Sequence, residues 1–265
     1  MRLIDGAQAI MGDLPSSATT VIDVPEAAGE SLATGVQRYS ALSVNRATAA
    51  AAVREQRFAA PNTLIVTIGG DCGSDLAAID EVLAARERGS VAVVWFDAHA
   101  DLNSAETSPS GAFGGMALRA VLGDGPDGLA VDRGLSADHV VLAGARALDD
   151  TEAAYIDANG VRTVTVGELA SPDALLAALE ATGATSVYVH VDLDVLDPAE
   201  IEGVGYPEPF GVSSVDLIEA IRAIRRRFEL VGAAIAGFAP ASPDEATGDL
   251  SVILRTLGAI TAPLR

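Results

Sequence analysis

The sequence predicts an α/β protein built on buried, parallel strands, and three observations carry that prediction. Short, nearly continuous apolar runs (NTLIVTI at 62–68, VAVVWF at 91–96, HVVLA at 139–143, SVYVHV at 186–191) alternate with Ala- and Leu-rich stretches. This is the pattern of strands covered on both faces by helices. Hydrophobic residues make up 49% of the chain and aromatic ones only 4%, so the core must be filled by Ala, Val, Leu and Ile. Glycine and acidic residues cluster just after the strands, where α/β proteins place ligands. At 265 residues, with no internal repeat or low-complexity linker, a single domain over 1–265 is expected.

In chain order, 20–24 (TVIDV) reads as the first strand and 25–35 as a polar, Gly-containing loop that could border a site. An Ala-rich helix is expected over 44–57. The strand 62–68 then runs into GGDCGSD, whose glycines permit a tight turn or close approach to a ligand, and Ser74 or Asp75 caps a helix over 76–88. After the strand 91–96 comes a Ser/Gly/Thr-rich loop, 104–115, followed by a short helix at 116–122 and a strand at 139–143. Asp149 and Glu152 stand in capping-box spacing before a helix to 159. A strand at 161–166, a helix opened by Ser171 and Pro172, and the strand 186–191 continue the alternation. Beyond a Gly/Pro-rich loop to 211, Ser213 or Ser214 caps a helix to 228. A last strand spans 230–238, and Ser242 with Glu245 caps the C-terminal helix.

The chemistry gathers at two strand ends. In FDAHADLN, Asp97, His99 and Asp101 are spaced two apart, so in extended backbone they share one face. Two carboxylates and an imidazole aimed at one point repel and shift one another unless a divalent cation joins them. In HVDLDVLDP, His190, Asp192 and Asp194 alternate in the same way. Two such rows make a shared metal centre a better account than two solvated strand ends. Cys72 sits at a third strand end. A lone cysteine is more often an inert buried residue, and only its position raises it to a candidate ligand. Asn103, Ser108 and Ser110 are candidate polar contacts from the following loop, or ordinary turn residues.

Asp plus Glu outnumber Lys plus Arg 37 to 17, a net charge of -20. Such a field disfavours nucleic acid and anionic membrane as partners and favours cations, guanidinium compounds among them. The single cysteine excludes an intrachain disulfide. The first thirty residues show no basic segment followed by an apolar one, and no apolar run reaches spanning length, so a cytoplasmic location is expected.

GGDC at 69–72, DAHAD at 97–101 and DLDVLDP at 192–198 together resemble the ureohydrolase family of arginase, agmatinase and formimidoylglutamase, over nearly the whole chain. The resemblance implies a three-layer α/β/α sandwich around a mostly parallel eight-stranded sheet. It also implies two Mn²⁺ ions bridged by a hydroxide, a small-molecule guanidino substrate and a homo-oligomer. Carried over by motif, one metal would be held by Cys72, Asp97, Asp101 and Asp192, the other by Asp97, His99, Asp192 and Asp194. Asp101 would also be catalytic, passing a proton to the departing nitrogen. Asn103, Ser108, Ser110, Asp149 and Glu152 match positions that bind the substrate's α-carboxylate and α-amine, Ala112 being the one loss.

The departures are informative. Cys72 stands where most members have histidine, and its softer thiolate opens the site to Zn²⁺, Fe²⁺ or Co²⁺. Gly114 stands where arginases carry a proton-shuttling histidine, Gly237 where a glutamate holds the guanidinium, and Tyr206 where a threonine positions it. His190 is a candidate replacement shuttle, or a hydrogen-bonding residue behind the metals. Retained tail-binding groups with altered head-binding groups point to an α-amino acid with a modified guanidine. Nω-hydroxy-L-arginine, which some members hydrolyse in antibiotic pathways, fits, giving ornithine and hydroxyurea. Arginine, agmatine or another guanidino or formimidoyl compound is the alternative substrate. An inactive binding or regulatory subunit is the alternative of another class.

Overall fold

The computed structural model describes residues 2–25 and 27–264. Its strands are β1 (Val66–Ile68), β2 (Val91–Phe96), β3 (Val140–Ala143), β4 (Arg162–Val164), β5 (Ser186–Asp192) and β6 (Glu229–Ala236). They form one sheet in the order β1-β6-β5-β2-β3-β4, and every pairing is parallel. The helices are α1 (Arg2–Met11), α2 (Tyr39–Ala59), α3 (Leu76–Ala85), α4 (Ala117–Val121), α5 (Asp150–Asn159), α6 (Asp173–Glu180), α7 (Ser214–Arg227) and α8 (Pro243–Thr261).

The two-residue period of the strands sorts the core into two layers. Ala92, Val94 and Phe96 of β2, with Val187, Val189 and Val191 of β5, pack on one side against Ile10 of α1, Leu175 of α6, Leu217 and Ile221 of α7 and Ile253 of α8. Val91, Val93 and Trp95, with Tyr188, face Val53 of α2, Leu76 and Ile79 of α3, Leu118 of α4 and Ile156 of α5 on the other. A strand buried on both faces needs apolar residues at every position, which is why β2 shows no polar alternation. The three α/β/α layers are those expected. No helix among the described residues is long and apolar enough to cross a membrane.

Two expectations are corrected. The described residues form six strands, not eight. Residues 20–24 take no regular secondary structure and do not pair with the sheet, and Val21 and Val24 stay exposed. Alternation alone does not make a strand without a free neighbouring edge, and Pro25, with no N–H, contributes no donor to a ladder. Helix α1 lies outside the elements read from the sequence. Its Gly6 lies so close to Phe238 that a Cβ there would be 2.0 Å from the carbonyl oxygen. Elsewhere the expected elements are present with shifted ends: β1 and β4 cover only 66–68 and 162–164 of the expected 62–68 and 161–166, α2 starts at Tyr39 rather than 44, and α3 stops at Ala85 rather than 88. Ser213 accepts from Asp216 N to start α7, and Ser242 accepts from Glu245 N to start α8.

The connectivity places β1, β6, β5 and β2 side by side with their carboxyl ends along one edge. The segments carrying Cys72, Gly237, Asp192 and Asp97 leave the sheet there.

Candidate metal centre

Asp97 follows the last residue of β2 and Asp192 is the last residue of β5. Because the two strands are paired in parallel, their terminal carboxylates emerge together. Cys72 reaches them from beyond β1, its Sγ lying 2.9 Å from Asp192 Oδ2 and 3.6 Å from Asp97 Oδ2. His99 Nδ1 lies 3.0 Å from Asp194 Oδ2 and 3.4 Å from Asp97 Oδ1. The carboxylates are fixed by donors behind them. His99 N donates to Asp97 Oδ1 and Trp95 Nε1 to Asp97 Oδ2, while Asp194 N donates to Asp192 Oδ1 and Ala98 N to Asp194 Oδ1. Asp101 joins the group from a left-handed backbone, φ +54°, a conformation that costs a non-glycine residue about 1–2 kcal/mol. Its Oδ2 is buried with no hydrogen-bond partner among the described residues.

Four aspartates, Asp97, Asp101, Asp192 and Asp194, are thus buried around Cys72 and the His99 imidazole. Burial first, and the Asp194 charge next, pushes Asp192 up to about 6. Burial and then Asp97 push Asp194 up to about 6. Asp101 is raised well above the carboxylate range by burial and then Asp97, and the Cys72 thiol is pushed well up by burial and then Asp101. Burial opposes the charge on His99, but hydrogen bonds to Asp194 and Asp97 outweigh it and lift the imidazole to about 11. Every shift has the sign of a crowded anionic pocket seeking positive charge. The donor set fits divalent cations: carboxylate oxygens, imidazole and thiolate, with a buried Asp101 oxygen left unpartnered.

Three of the other predicted positions, Asn103, Asp149 and Glu152, form a second group at the start of α5. Asp149 and Glu152 make a full capping box, and Glu152 Oε1 also accepts from Leu102 N. Asn103 donates to Asp149 Oδ2 at 2.8 Å and accepts from Thr107 and Thr151. The Ser108 and Ser110 hydroxyls accept from Gly111 N and Ala112 N, closing turns of their own loop. Tyr206 stands exposed at the mouth, edge-on to His99 with ring centroids 6.2 Å apart.

Arg146 escaped the sequence reading. It follows β3, and its guanidinium donates to the carbonyls of Gly144, Asp194, Val195, Leu196, Glu208 and Pro209. The cation therefore clamps the loop carrying Asp194. Its one sequence signal is a basic residue in the GAR turn after a strand. Arg146→Ala is expected to destabilise the fold by about 2–4 kcal/mol, because several part-buried carbonyls lose a charged donor. Urea unfolding measures this, and a change under about 0.5 kcal/mol, the size of a neutral surface substitution, would contradict the clamp.

The sequence profile of the Arginase family matches residues 8–255. The chain belongs to the arginase family. This arginase-family chain is 38% identical over 152 residues to the arginase of Bacillus caldovelox, a match covering 54% of this chain and 50% of that protein. It therefore spans about half the length of that curated relative. To the N(omega)-hydroxy-L-arginine amidinohydrolase of Streptomyces lavendulae it is 32% identical over 194 residues, covering 73% of this chain and 67% of that one. The Entamoeba histolytica arginase structure in complex with L-ornithine superposes with a TM-score of 0.81 at 25% identity, covering 92% of this chain and 84% of that one.

Proposed function

We propose that this arginase-family chain hydrolyses the guanidino group of a modified arginine, with Nω-hydroxy-L-arginine as substrate and ornithine and hydroxyurea as products. One observation carries the substrate assignment. A Cβ at Gly237, the position of the guanidinium-binding glutamate by resemblance, would fall 2.1 Å from Asp192 Oδ1. The backbone there has no room for a side chain while Asp192 keeps its place. A head group that needs less help from a carboxylate suits such a site. The S. lavendulae relative, named for that substrate, supports the same reading.

By motif, Cys72, Asp97, Asp101 and Asp192 would hold one divalent ion, and Asp97, His99, Asp192 and Asp194 the other. When bound, the two ions supply Lewis acidity that lowers the pKa of water at the guanidino carbon. Asp101 is buried and its Oδ2 has no hydrogen-bond partner among the described residues, so as a carboxylate it can accept a proton there. It takes the proton from the attacking water and gives it to the departing nitrogen as the carbon–nitrogen bond breaks. Asn103, Asp149 and Glu152 form the wall for the substrate's amino-acid end, with Ser108 and Ser110 on the adjoining loop. Tyr206 covers the entrance beside His99.

The direct assay compares hydroxyurea release from Nω-hydroxy-L-arginine with urea release from arginine. The hydroxylated substrate is expected to be preferred by at least about tenfold in kcat/KM, roughly 1.4 kcal/mol of transition-state discrimination. Equal or greater activity on arginine would reject the substrate assignment.

A further inference from the structure

His190 belongs to none of the ligand sets carried over by resemblance, yet it lies against the acidic cluster. Its alternation with Asp192 along β5 puts both side chains on one face of the strand. One of its ring nitrogens, Cys72 Sγ and an Asp97 oxygen lie within 4.8 Å of one another. The imidazole is fully buried, and it is held on two sides. Trp95, its register partner on β2, stacks on it with centroids 3.5 Å apart and planes 9° from parallel. Asp75 Oδ2, also fully buried, lies 3.1 Å from Nδ1.

That arrangement leaves Nε2 over. The atom is buried and has no hydrogen-bond partner among the described residues. Leaving a buried ring nitrogen unpaired is unfavourable, because it has given up water without gaining a partner. A core histidine retained only for packing against Trp95 would find a donor or acceptor for it. A carboxylate on one ring nitrogen with the other free is instead the arrangement that fixes the tautomer and aim of a metal-binding histidine.

We propose that His190 is a metal ligand, which joins Cys72 and Asp97 in one half of the centre and is oriented by Asp75, so that this half takes a borderline-soft divalent ion such as Zn²⁺, Fe²⁺ or Co²⁺. The inference rests on reading the cluster as a metal centre. It adds a ligand from a different strand and gives Cys72 a role. Where a thiolate stands in place of the usual imidazole, the imidazole is restored from β5. The site becomes a sulfur, nitrogen and oxygen set that suits zinc or iron better than a carboxylate-rich manganese site. The other half, around His99 and Asp194, keeps a harder set.

The chain contains only three histidines, which makes the test direct. His139 is bound to Asp138 and the Gly89 carbonyl. In a His99→Ala variant loaded with one equivalent of Zn²⁺, X-ray absorption is expected to show one sulfur at about 2.3 Å and one imidazole nitrogen at about 2.0 Å on the same ion. Zinc–sulfur scattering without imidazole scattering overturns the proposal, and no folding-sensitive change at His190 is needed to see it. In parallel, His190→Gln is expected to weaken the first Zn²⁺ at least about tenfold in competition titrations. It should also alter the thiolate-to-Co²⁺ charge-transfer band of the cobalt-loaded protein. Unchanged affinity and spectrum overturn the assignment of His190 alone. A wild-type protein that takes up neither Zn²⁺ nor Co²⁺ overturns the metal-centre reading with it.

Discussion

Gly237→Glu, which places a glutamate where the resemblance sets the guanidinium-binding residue, is expected to destroy the metal centre rather than confer arginine hydrolysis. Gly237 sits at φ +84°, in the left-handed region where any side chain is strained. Its added Cβ would fall 2.1 Å from Asp192 Oδ1 and 2.7 Å from the carboxylate carbon. Asp192 cannot give way cheaply, since Asp194 N donates to that same oxygen and Cys72 Sγ lies 2.9 Å from the other. The Gly237 N–H also donates to the Gly70 carbonyl, tying the turn after β6 to the turn after β1. Backbone strain of about 1–2 kcal/mol and overpacking of about 1–3 kcal/mol act together, so a loss of about 3 kcal/mol is expected. Thermal unfolding with metal stoichiometry measures it. A variant as stable as the parent that still binds two ions would refute the steric account.

Gly114 makes the contrast. A Cβ there would meet only ordinary contacts, the nearest being Asp71 Cβ at 3.5 Å, and the backbone is not left-handed. Of the two glycines that the resemblance sets at the proton-shuttle and guanidinium-binding positions, Gly114 is open to a side chain and Gly237 is closed by Asp192. Under the proposed function, the closed position suits a substrate needing no carboxylate at its head, and the open one leaves proton transfer to Asp101 and to water.

How much of this was legible in the sequence depends on the range of the interaction. Asp97, His99, Asp192 and Asp194 declared themselves through a two-residue period, because strand geometry is local. The capping box of Asp149 and Glu152 and the caps at Ser213 and Ser242 were legible for the same reason. Residues 20–24 misled because pairing needs a neighbour that no local pattern supplies. Arg146 was invisible because its acceptors are carbonyls up to 63 positions away, and carbonyls leave no mark in a sequence. The Asp75–His190–Trp95 stack lay beyond reach for a related reason. His190 is 115 positions from Asp75, and only the β2–β5 register sets the ring on Trp95.

Stripping the metal ions is expected to destabilise the protein, and by more at pH 8 than at pH 5. The sign follows from the pocket. Asp192 and Asp194 have folded-state pKa values raised from 3.8 to about 6, and His99 from 6.5 to about 11. The metal-free native state therefore binds more protons than the unfolded chain throughout these ranges, and stability falls as pH rises. The aspartate contribution is complete below about pH 4 and is lost as pH passes through 6; that of His99 is complete below about pH 6.5 and is lost on the way to 11. Each aspartate shift is worth on the order of 3 kcal/mol. The two share one pocket and do not add, so about 3–5 kcal/mol should disappear between pH 4 and 7. Bound cations replace those protons and bind more tightly as the ligands ionise, so the loaded protein moves the other way. At about 2–4 °C per kcal/mol for a chain of this size, loaded and chelated proteins should differ in Tm by roughly 10 °C at pH 8 and by much less at pH 5. Melting curves with and without chelator at the two pH values decide the matter. A chelated protein that is more stable at pH 8 than at pH 5 would show that the buried aspartates have found their positive charge within the chain.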